Sequence, residues 1–284
     1  MQSERPDEDA RRAYWTEQME AACAHMAAVS DYPVDECGQA MDSLPDAADE
    51  AGVEVAFSTT KVVKNFDRLF YLREGLIDDF VAIARRMNAR GWVLKVEDAY
   101  RTCAIQKHLA MKEELFSAVL ERLRWEFKGR MPSPEEMSRR LSAFVAASPK
   151  IGPHTSGSAL DISVLNRDDG TEIDRGGPYL ELSELMPMGS PFISSQARRN
   201  RHEITATMSE NGFPPYPYEF WHYSKGDGHS EYLSGAGKPA RYGPVNVDLV
   251  TGKTTPVENP NDPLNSIEEI RSEIQRALAR LEDR

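Results

Sequence analysis

The chain has 284 residues, of which 40% are hydrophobic, and it carries a formal net charge of −12 at pH 7. This length suits one large domain or one domain with extensions, and the charge argues against a nucleic-acid partner or an anionic membrane, since both require a basic surface. Three scattered cysteines without a CxxC pair, a polar N-terminus and the lack of any membrane-length apolar run predict a cytoplasmic protein with reduced thiols.

The start of the chain, residues 1–52, predicts an N-terminal extension. Apolar residues recur at helical spacing over 8–29 and predict a helix there. Residues 30–52 combine prolines and glycines with many acids, and this composition predicts an irregular, solvated connection.

Residues 53–101 predict a strand, a helix and a second strand. Alternating apolar residues favour a strand over 53–59, and residues 76–90 have the clearest amphipathic pattern, a helix that Gly91 would end. The apolar run 92–96 predicts the second strand, which leads into the sequence Glu-Asp-Ala-Tyr-Arg.

The next segment predicts two helices and a strand. One helix is expected over 104–128 from its apolar spacing. Another is expected over 133–147, because Ser133 can cap it and is followed by a proline and by Glu136 for a capping box. An apolar strand is expected over 159–165.

After that strand the sequence predicts a loop, a helix and a strand. Residues 178–191 are punctuated by proline and glycine and predict a loop near the site. Residues 196–211 predict a helix capped by Ser195. The aromatic-rich residues 213–223 predict a strand.

Residues 226–284 predict a C-terminal extension, irregular over 226–262 and ending in a charged helix over 267–281. The main domain then comprises residues 53–225. Strands and helices without regular βαβ alternation predict an α+β fold with a central, mainly antiparallel sheet flanked by helices.

Two short motifs supply the ligands of a metal site. His154 and Asp161 are separated by small residues that let the backbone pass close to an ion, and Glu219 and His222 follow further along the chain. Two imidazoles and a carboxylate, with a second acid beside them, form the ligand set of a hydrolytic zinc site with one position open for water. Each residue alone is more often structural, so ordinary core packing remains an alternative interpretation of the same residues.

Other polar residues suggest roles around such a site. Zinc lowers the pKa of a bound water to about 7, and Glu219 is close enough in sequence to a ligand to accept the water's proton. In a flat strand residues 219 and 222 would point to opposite faces, so the backbone must bend or the glutamate must reach around. Arg101 could stabilise the scissile carbonyl oxygen or form a surface salt bridge, and Asp98 could orient either Arg101 or a ligand histidine. The remaining histidines have no partners in the sequence pattern and are expected to be structural or solvated: His25, His108, His202 and His229.

These motifs resemble the zinc D-Ala-D-Ala dipeptidases of vancomycin resistance, within the wider group of DD-carboxypeptidases and hedgehog-type zinc folds. The matching stretches occur in the family's order, over about residues 58–225: 98–101 (Asp-Ala-Tyr-Arg), 154–161 (His-Thr-Ser-Gly-Ser-Ala-Leu-Asp), 169–170 (Asp-Gly), 211–213 (Asn-Gly-Phe) and 219–223 (Glu-Phe-Trp-His-Tyr). The resemblance implies one Zn²⁺ per chain, bound by His154, Asp161 and His222. It also implies Glu219 as catalytic base, Arg101 as transition-state stabiliser and a compact α+β fold.

Three positions depart from the family pattern. Thr102 stands where proline usually follows the arginine, and Gly152 stands two residues before the first zinc histidine, where a small hydroxyl residue is common. The dipeptidases hold the substrate's free ammonium with an aspartate, whereas Leu180 aligns with that position here, next to Glu181. Loss of that anchor would weaken the preference for a free dipeptide and admit a longer or blocked substrate, unless Glu181 takes over the role.

The sequence therefore predicts a cytoplasmic zinc metallopeptidase that cleaves D-Ala-D-Ala or a similar small D-amino-acid dipeptide. One alternative is a DD-carboxypeptidase acting on peptidoglycan precursor peptides. Another is a zinc-bearing binding module without catalysis, against which the intact Glu219 and Arg101 argue. The expected partner is a small peptide substrate rather than nucleic acid or membrane, and the terminal extensions are predicted to cover the site or to form a homo-oligomer.

Overall fold

The computed structural model describes residues 8–63 and 65–282, in which helices and strands alternate irregularly. The helices are α1 (Glu8–Ser30), α2 (Leu44–Ala51), α3 (Ile77–Ala89), α4 (Cys103–Ala110), α5 (Glu113–Glu126), α6 (Pro134–Leu141), α7 (Ser195–Glu210), α8 (Gly228–Ser234) and α9 (Ile267–Glu282). The strands are β1 (Met41–Ser43), β2 (Val55–Phe57), β3 (Tyr71–Arg73), β4 (Trp92–Asp98), β5 (Ala159–Asn166), β6 (His222–Ser224), β7 (Val245–Val247) and β8 (Thr254–Pro256). Single 3-10 turns occupy Glu74–Leu76 and Pro149–Ile151.

A four-stranded sheet in the order β2-β4-β5-β6 lies at the centre of the fold. The β2–β4 pair is parallel, and the β4–β5 and β5–β6 pairs are antiparallel. The predicted α+β fold with a central, mainly antiparallel sheet is therefore confirmed. The register places Asp161 of β5 opposite Asp98 on one side and opposite His222 on the other, so three strands bring these side chains together.

The main hydrophobic core lies between this sheet and helices α3 and α7. It contains residues of each element: Phe80, Ile83, Ala84 and Met87 of α3, Leu94 and Val96 of β4, Leu160, Ile162 and Val164 of β5, and Ile204 and Met208 of α7. Successive side chains of a strand point to opposite faces. Because Leu160, Ile162 and Val164 point into this core, Asp161 faces the other side of the sheet.

Both terminal segments pack against the rest of the chain. Helix α1 buries Trp15 and Met19 in a cluster that also contains Trp221. Helix α9 packs on α5 and α6 and buries Ile270 and Ile274. Whether these segments also form a homo-oligomer, and whether residues 1–52, 53–225 and 226–284 behave as separate units, stay predictions.

Most of the predicted secondary structure is confirmed, with ends that differ by a few residues. This holds for the helices expected over 8–29, 76–90, 196–211 and 267–281 and the strands expected over 53–59, 92–96 and 159–165. None of the described helices is both long and apolar enough to cross a membrane. The polar residues 1–7, on which the cytoplasmic prediction partly rests, lie outside the described residues.

Two predictions for the N-terminal half are wrong. Residues 30–52 are not irregular throughout, because they contain β1 and α2. The signals for α2 are local, since the Ser43 side chain accepts the Asp46 N–H as the helix cap and Gly52 ends the helix in the left-handed conformation at φ 61°. The single helix expected over 104–128 is instead the pair α4 and α5, with a turn between them.

Two predictions for the C-terminal half are also wrong. Residues 213–221 contain two turns and an isolated bridge at Pro215 but no strand, and only the last two residues of the stretch belong to strand β6. Three prolines in this stretch lack the N–H group that a strand must donate, so the aromatic content was misleading. Residues 226–262, predicted to be extended and irregular, are not irregular throughout, because they contain α8 and the extended antiparallel pair β7–β8.

Helix ends show which local signals are reliable. The capping box at Ser133 and Glu136 is confirmed, with each side chain bonded to the other residue's backbone N–H. The helix it opens ends at Leu141 rather than near residue 147, and α7 is capped by Ser194 rather than Ser195. A cap is thus easier to locate from sequence than the point where a helix ends.

Candidate metal centre and active site

His154, Asp161 and His222 come together where the turn before β5 meets β5 and β6. The Asp161 Oδ1 atom lies 3.3 Å from His154 Nε2 and 2.9 Å from His222 Nδ1. All three residues are buried, and one ligand atom from each lies within 4.8 Å of the others. Ligands of a tetrahedral zinc ion, at about 2.1 Å from the metal, lie about 3.4 Å apart, so this donor set fits zinc in chemistry and in spacing.

The turn that carries His154 requires a glycine. Gly157 adopts a left-handed conformation at φ 67°, and a Cβ atom there would lie 2.3 Å from Cε of Met41. Its backbone oxygen accepts the N–H of Arg73, which joins the turn to β3. A side chain at position 157 would therefore push this turn away and displace His154.

A hydrogen bond to the backbone fixes the orientation of the His154 ring. Its Nδ1 atom donates a hydrogen bond to the carbonyl oxygen of Ala99 at 2.5 Å, so Nε2 is the ring nitrogen that faces Asp161. The ring of His222 lies 4.9 Å from that of His154, centroid to centroid, and is flanked by the ring of Tyr216 at 5.7 Å. Both imidazoles are thus held in place by neighbouring groups.

Arg101 contacts the same carboxylate from the other side. Its Nη2 atom donates to Asp161 Oδ2 at 3.0 Å, and its Nε atom donates to Asp98 Oδ2 at 2.7 Å. Arg101 is buried, so the alternative of a surface salt bridge is wrong. Asp98 also forms an ion pair with Arg68 at 3.3 Å. The hydrogen bonds to Asp98 and Asp161 together fix the direction of the Arg101 guanidinium group.

The charges around the site separate the two acids. Burial opposes ionisation of Asp161, but the imidazoles of His154 and His222 more than offset this and hold its pKa well below the usual value. Burial, together with the negative charge of Asp161, raises the pKa of Glu219 well above its usual value, and Arg101 offsets only part of this rise. Asp161 is therefore suited to bind a cation, and Glu219 to exchange protons.

The backbone bends at Glu219, which removes the geometric conflict expected for a flat strand. The His222 N–H donates to the Glu219 carbonyl at 3.2 Å, and the Glu219 N–H donates to the Tyr216 carbonyl at 3.3 Å. Residues 219 and 222 thus belong to consecutive turns, and β6 begins only at His222. Both side chains line the same cavity.

This cavity has a volume of about 290 Å³ and is lined by all five residues singled out in the sequence, Arg101, His154, Asp161, Glu219 and His222. Sequence analysis missed other polar side chains that line it. Tyr179 donates to Asp161 Oδ2 at 3.0 Å, Gln106 accepts from Arg101 at 3.5 Å, and Arg68 pairs with Asp98. The only available signal was for Tyr179, which lies in the loop predicted near the site.

The three residues that depart from the family pattern have defined positions in the structure. Thr102 caps α4 by accepting the N–H of Ile105 at 3.2 Å. Gly152 lines the cavity, and a Cβ atom there would lie 3.0 Å from the Thr155 hydroxyl. Leu180 lines the cavity, whereas the neighbouring Glu181 is not among the described residues that line it.

His25 and His229 are buried, which agrees with the expected structural role, but they have partners that the sequence pattern did not indicate. His25 Nε2 lies 3.0 Å from His229 Nδ1, and His229 Nε2 donates to the Ile151 carbonyl at 2.9 Å. Because they come from α1 and α8, 204 positions apart in the chain, nothing in their sequence spacing indicated the pairing.

Comparison with known proteins gives a consistent result. The model of the Peptidase_M15 family, described as D-ala-D-ala dipeptidase, matches residues 59–234. A D-alanyl-D-alanine dipeptidase of Synechocystis sp. is 30% identical over 154 residues, which cover 48% of this chain and 60% of the relative. Those of Enterococcus faecium and Escherichia coli are 30% and 31% identical over 70 residues, covering 25% of this chain and 35% and 36% of the relatives.

The match therefore spans less than two thirds of the length of each of these relatives. The segment matched by the family model nevertheless includes the whole central sheet except β2 and all five residues around the cavity. Since that segment is more than half of the chain, the protein belongs to the D-ala-D-ala dipeptidase family.

Proposed function

We propose that the protein is a zinc-dependent peptidase that hydrolyses D-Ala-D-Ala or a similar small D-amino-acid dipeptide. Membership of the dipeptidase family supports a peptidase. The observation that carries the finer proposal is the convergence of two imidazole nitrogens on Asp161 Oδ1, at 2.9 and 3.3 Å, in the cavity that Glu219 and Arg101 also line.

In this proposal His154, Asp161 and His222 hold the zinc ion. When bound, zinc lowers the pKa of a water molecule to about 7 and polarises a carbonyl group. The hydrogen bond from His154 to the Ala99 carbonyl fixes the ring so that its other nitrogen faces the site.

Glu219 and Arg101 carry out the remaining chemistry. Glu219, whose pKa burial raises, takes the proton of the attacking water and delivers it to the nitrogen of the leaving amine as the peptide bond breaks. Arg101, held by Asp98 and Asp161, donates hydrogen bonds to the carbonyl oxygen as it becomes negative. Removing a general base costs about 10²- to 10⁴-fold in rate.

A DD-carboxypeptidase acting on longer peptides is the second candidate. The observation that favours it is Leu180, which lines the cavity at the position where the resemblance places an ammonium-binding aspartate. Because position 180 has no carboxylate, binding of a substrate with a blocked or extended N-terminus would leave no negative charge there without its ammonium partner.

The deciding experiment incubates zinc-loaded protein with D-Ala-D-Ala and measures released D-alanine. Cleavage supports the dipeptidase, whereas cleavage only of longer peptides ending in D-Ala-D-Ala would support the carboxypeptidase. Glu219→Gln should lose at least 100-fold in turnover and keep about one zinc per chain. The exposed Glu203→Gln on α7 is the matched control and should keep both activity and zinc.

Two further predictions concern the protein in its cell. A cytoplasmic site of action is tested by fractionation of the source cells. A homo-oligomer formed through the terminal segments is tested by sedimentation of the full chain and of a variant with α9 removed. A chain that stays monomeric at all concentrations would contradict the second prediction.

A further inference from the structure

The cavity is larger than a substrate with two alanine side chains requires. Its volume is about 290 Å³. An engineered apolar cavity of about 150 Å³ is enough to bind benzene, so this space can hold a side chain of that size in addition to the reacting groups. Each alanine would place only one methyl group in it.

The cavity is lined by apolar side chains as well as by the residues of the proposed metal site. The apolar part, which we call the apolar chamber, is formed by Leu109, Leu115, Ala118, Phe144, Val145 and Leu182. These residues come from α4, α5, the segment after α6 and the loop before α7. The same cavity is lined by Arg101, Asp161 and Glu219, so the chamber is continuous with the proposed reacting groups.

Packing behind the wall keeps the chamber in shape. Leu115, Phe144 and Leu182 also contact the hydrophobic cluster that α5 and α6 form with Ile270 and Ile274 of α9. Val145 and Leu109 belong to another cluster and are at most 9% exposed. The C-terminal helix therefore supports a wall that the substrate would touch.

Charged groups at this wall do not compete for an apolar side chain. Lys112 donates to the Val62 carbonyl at 3.3 Å, and Glu114 is exposed. The cavity wall exposes more hydrocarbon than polar surface, and hydrocarbon surface binds apolar groups by removing them from water.

We propose that the apolar chamber binds a bulky apolar side chain of the substrate, of leucine or phenylalanine size. The preferred substrate is then a D,D-dipeptide with one such residue rather than D-Ala-D-Ala. This inference rests on the proposed function. Each buried methylene strengthens binding about fourfold, so the three additional carbons of leucine over alanine predict a rise of roughly 50-fold in kcat/KM.

The test compares D-Ala-D-Ala with D-Ala-D-Leu, D-Leu-D-Ala, D-Ala-D-Phe and D-Phe-D-Ala. Turnover is measured on zinc-loaded protein, and affinity is measured by calorimetry on zinc-loaded Glu219→Gln protein, which does not depend on catalysis. We expect at least one bulky dipeptide to exceed D-Ala-D-Ala by at least tenfold in both measurements.

Two substitutions test whether the chamber causes the preference. Ala118→Leu fills the chamber and should lower the ratio of bulky to small substrate at least tenfold, and the smaller Ala118→Val covers the case in which leucine prevents folding. Ala104→Leu, on the exposed side of α4, is the matched control and should leave the ratio unchanged. An unchanged ratio in a folded Ala118 variant would overturn the assignment of the chamber.

Failure of the inference is distinguishable from failure of the proposed function. If D-Ala-D-Ala is cleaved and bound at least as well as every bulky dipeptide, the inference is overturned and the dipeptidase stands. If no dipeptide is cleaved, the dipeptidase proposal fails. The calorimetric result then decides the inference. Tighter binding of a bulky dipeptide than of D-Ala-D-Ala supports it, and equal or weaker binding overturns it.

Discussion

Two pairs of buried histidines in this protein have almost the same spacing but different surroundings. The ring centroids of His154 and His222 lie 4.9 Å apart, and those of His25 and His229 lie 5.0 Å apart. Spacing therefore does not distinguish a metal site from a structural pair. What differs is the position of the neighbouring carboxylate.

In the first pair the carboxylate lies between the rings, and Asp161 Oδ1 is within 3.3 Å of a nitrogen from each. In the second pair the rings bond directly to each other, and His229 uses its other nitrogen for the Ile151 carbonyl. The acid nearby, Asp227, accepts the backbone N–H groups of His229 and Ser230 as the cap of α8 and the hydroxyl of Ser158. Its oxygens are thus already in use.

The surroundings also determine the charge of each pair. Burial lowers the pKa of His25 to about 3, and burial lowers that of His229 as well. Burial also lowers the pKa of His222, but the hydrogen bond and charge of Asp161 act in the opposite direction. A carboxylate between two imidazoles thus favours binding of a cation, as proposed for His154, Asp161 and His222, whereas burial without such a carboxylate favours the neutral forms of His25 and His229.

The largest expected effect comes from removing that carboxylate charge. After dialysis, Asp161→Asn protein should retain well under one equivalent of zinc. Substitution of a residue that merely orients a metal ligand already lowers metal affinity about 10- to 100-fold, and this substitution removes the charge of a proposed ligand itself. Peptidase turnover should fall with the zinc content. Metal analysis of the dialysed protein measures the first effect, and a dipeptide assay measures the second.

Its control comes from the second pair. His25→Leu removes a histidine at the same ring spacing but should retain about one zinc per chain. Loss of zinc from this variant, or retention by Asp161→Asn, would contradict the distinction between the two pairs.

The comparison also shows what could be predicted from sequence. The motifs around His154 and His222 were recognisable because their residue types and order are local features, and the structure brings all five residues singled out there to one cavity. Their catalytic and metal-binding roles stay predictions. The capping box at Ser133 was likewise visible because it involves only four consecutive residues.

Contacts between distant segments were not predictable. The His25–His229 pair joins residues 204 positions apart, and Tyr179 reaches Asp161 from a loop whose course depends on tertiary packing. Buried Arg201 holds that loop by donating to the carbonyls of Leu185 and Pro187. Such contacts depend on where whole elements pack, which periodicity along the sequence does not report.

An intermediate effect is expected on the free energy of unfolding when the pH is lowered, because of the buried pair His25 and His229. The pKa of His25 is lower in the folded protein, about 3, than the usual value of about 6.5 in an unfolded chain. Below pH 6.5 the unfolded state therefore binds a proton that the folded state does not, and stability is lost as pH falls towards 3. The loss approaches about 1.4 kcal/mol per pH unit for this residue, or about 2 kcal/mol between pH 6.5 and pH 5.

Urea unfolding at several values between pH 7 and pH 5 measures this slope. His25→Phe should flatten the slope by about one proton, at the cost of a lost hydrogen bond at pH 7. The exposed His202→Gln on α7 is the matched control and should leave the slope unchanged. An unchanged slope in His25→Phe would show that protonation of groups other than His25 causes the loss of stability at low pH.

The smallest effect separates two tyrosines that contact the proposed metal ligands Asp161 and His222. The Tyr179 hydroxyl donates to Asp161 Oδ2 at 3.0 Å, whereas the buried Tyr216 hydroxyl has no hydrogen-bond partner among the described residues. Tyr179→Phe should therefore weaken zinc binding about tenfold, since it removes a group that orients a ligand carboxylate. Tyr216→Phe should leave the zinc affinity unchanged and keep or slightly raise the free energy of unfolding, because it removes a buried polar atom without breaking a bond within the protein. Chelator competition measures the zinc affinity of both variants, and urea unfolding measures their free energies of unfolding. A larger loss of zinc affinity in Tyr216→Phe than in Tyr179→Phe would contradict the prediction. It would mean that packing of residue 216 against His222, and not the Tyr179 hydroxyl, holds the proposed ligands in position.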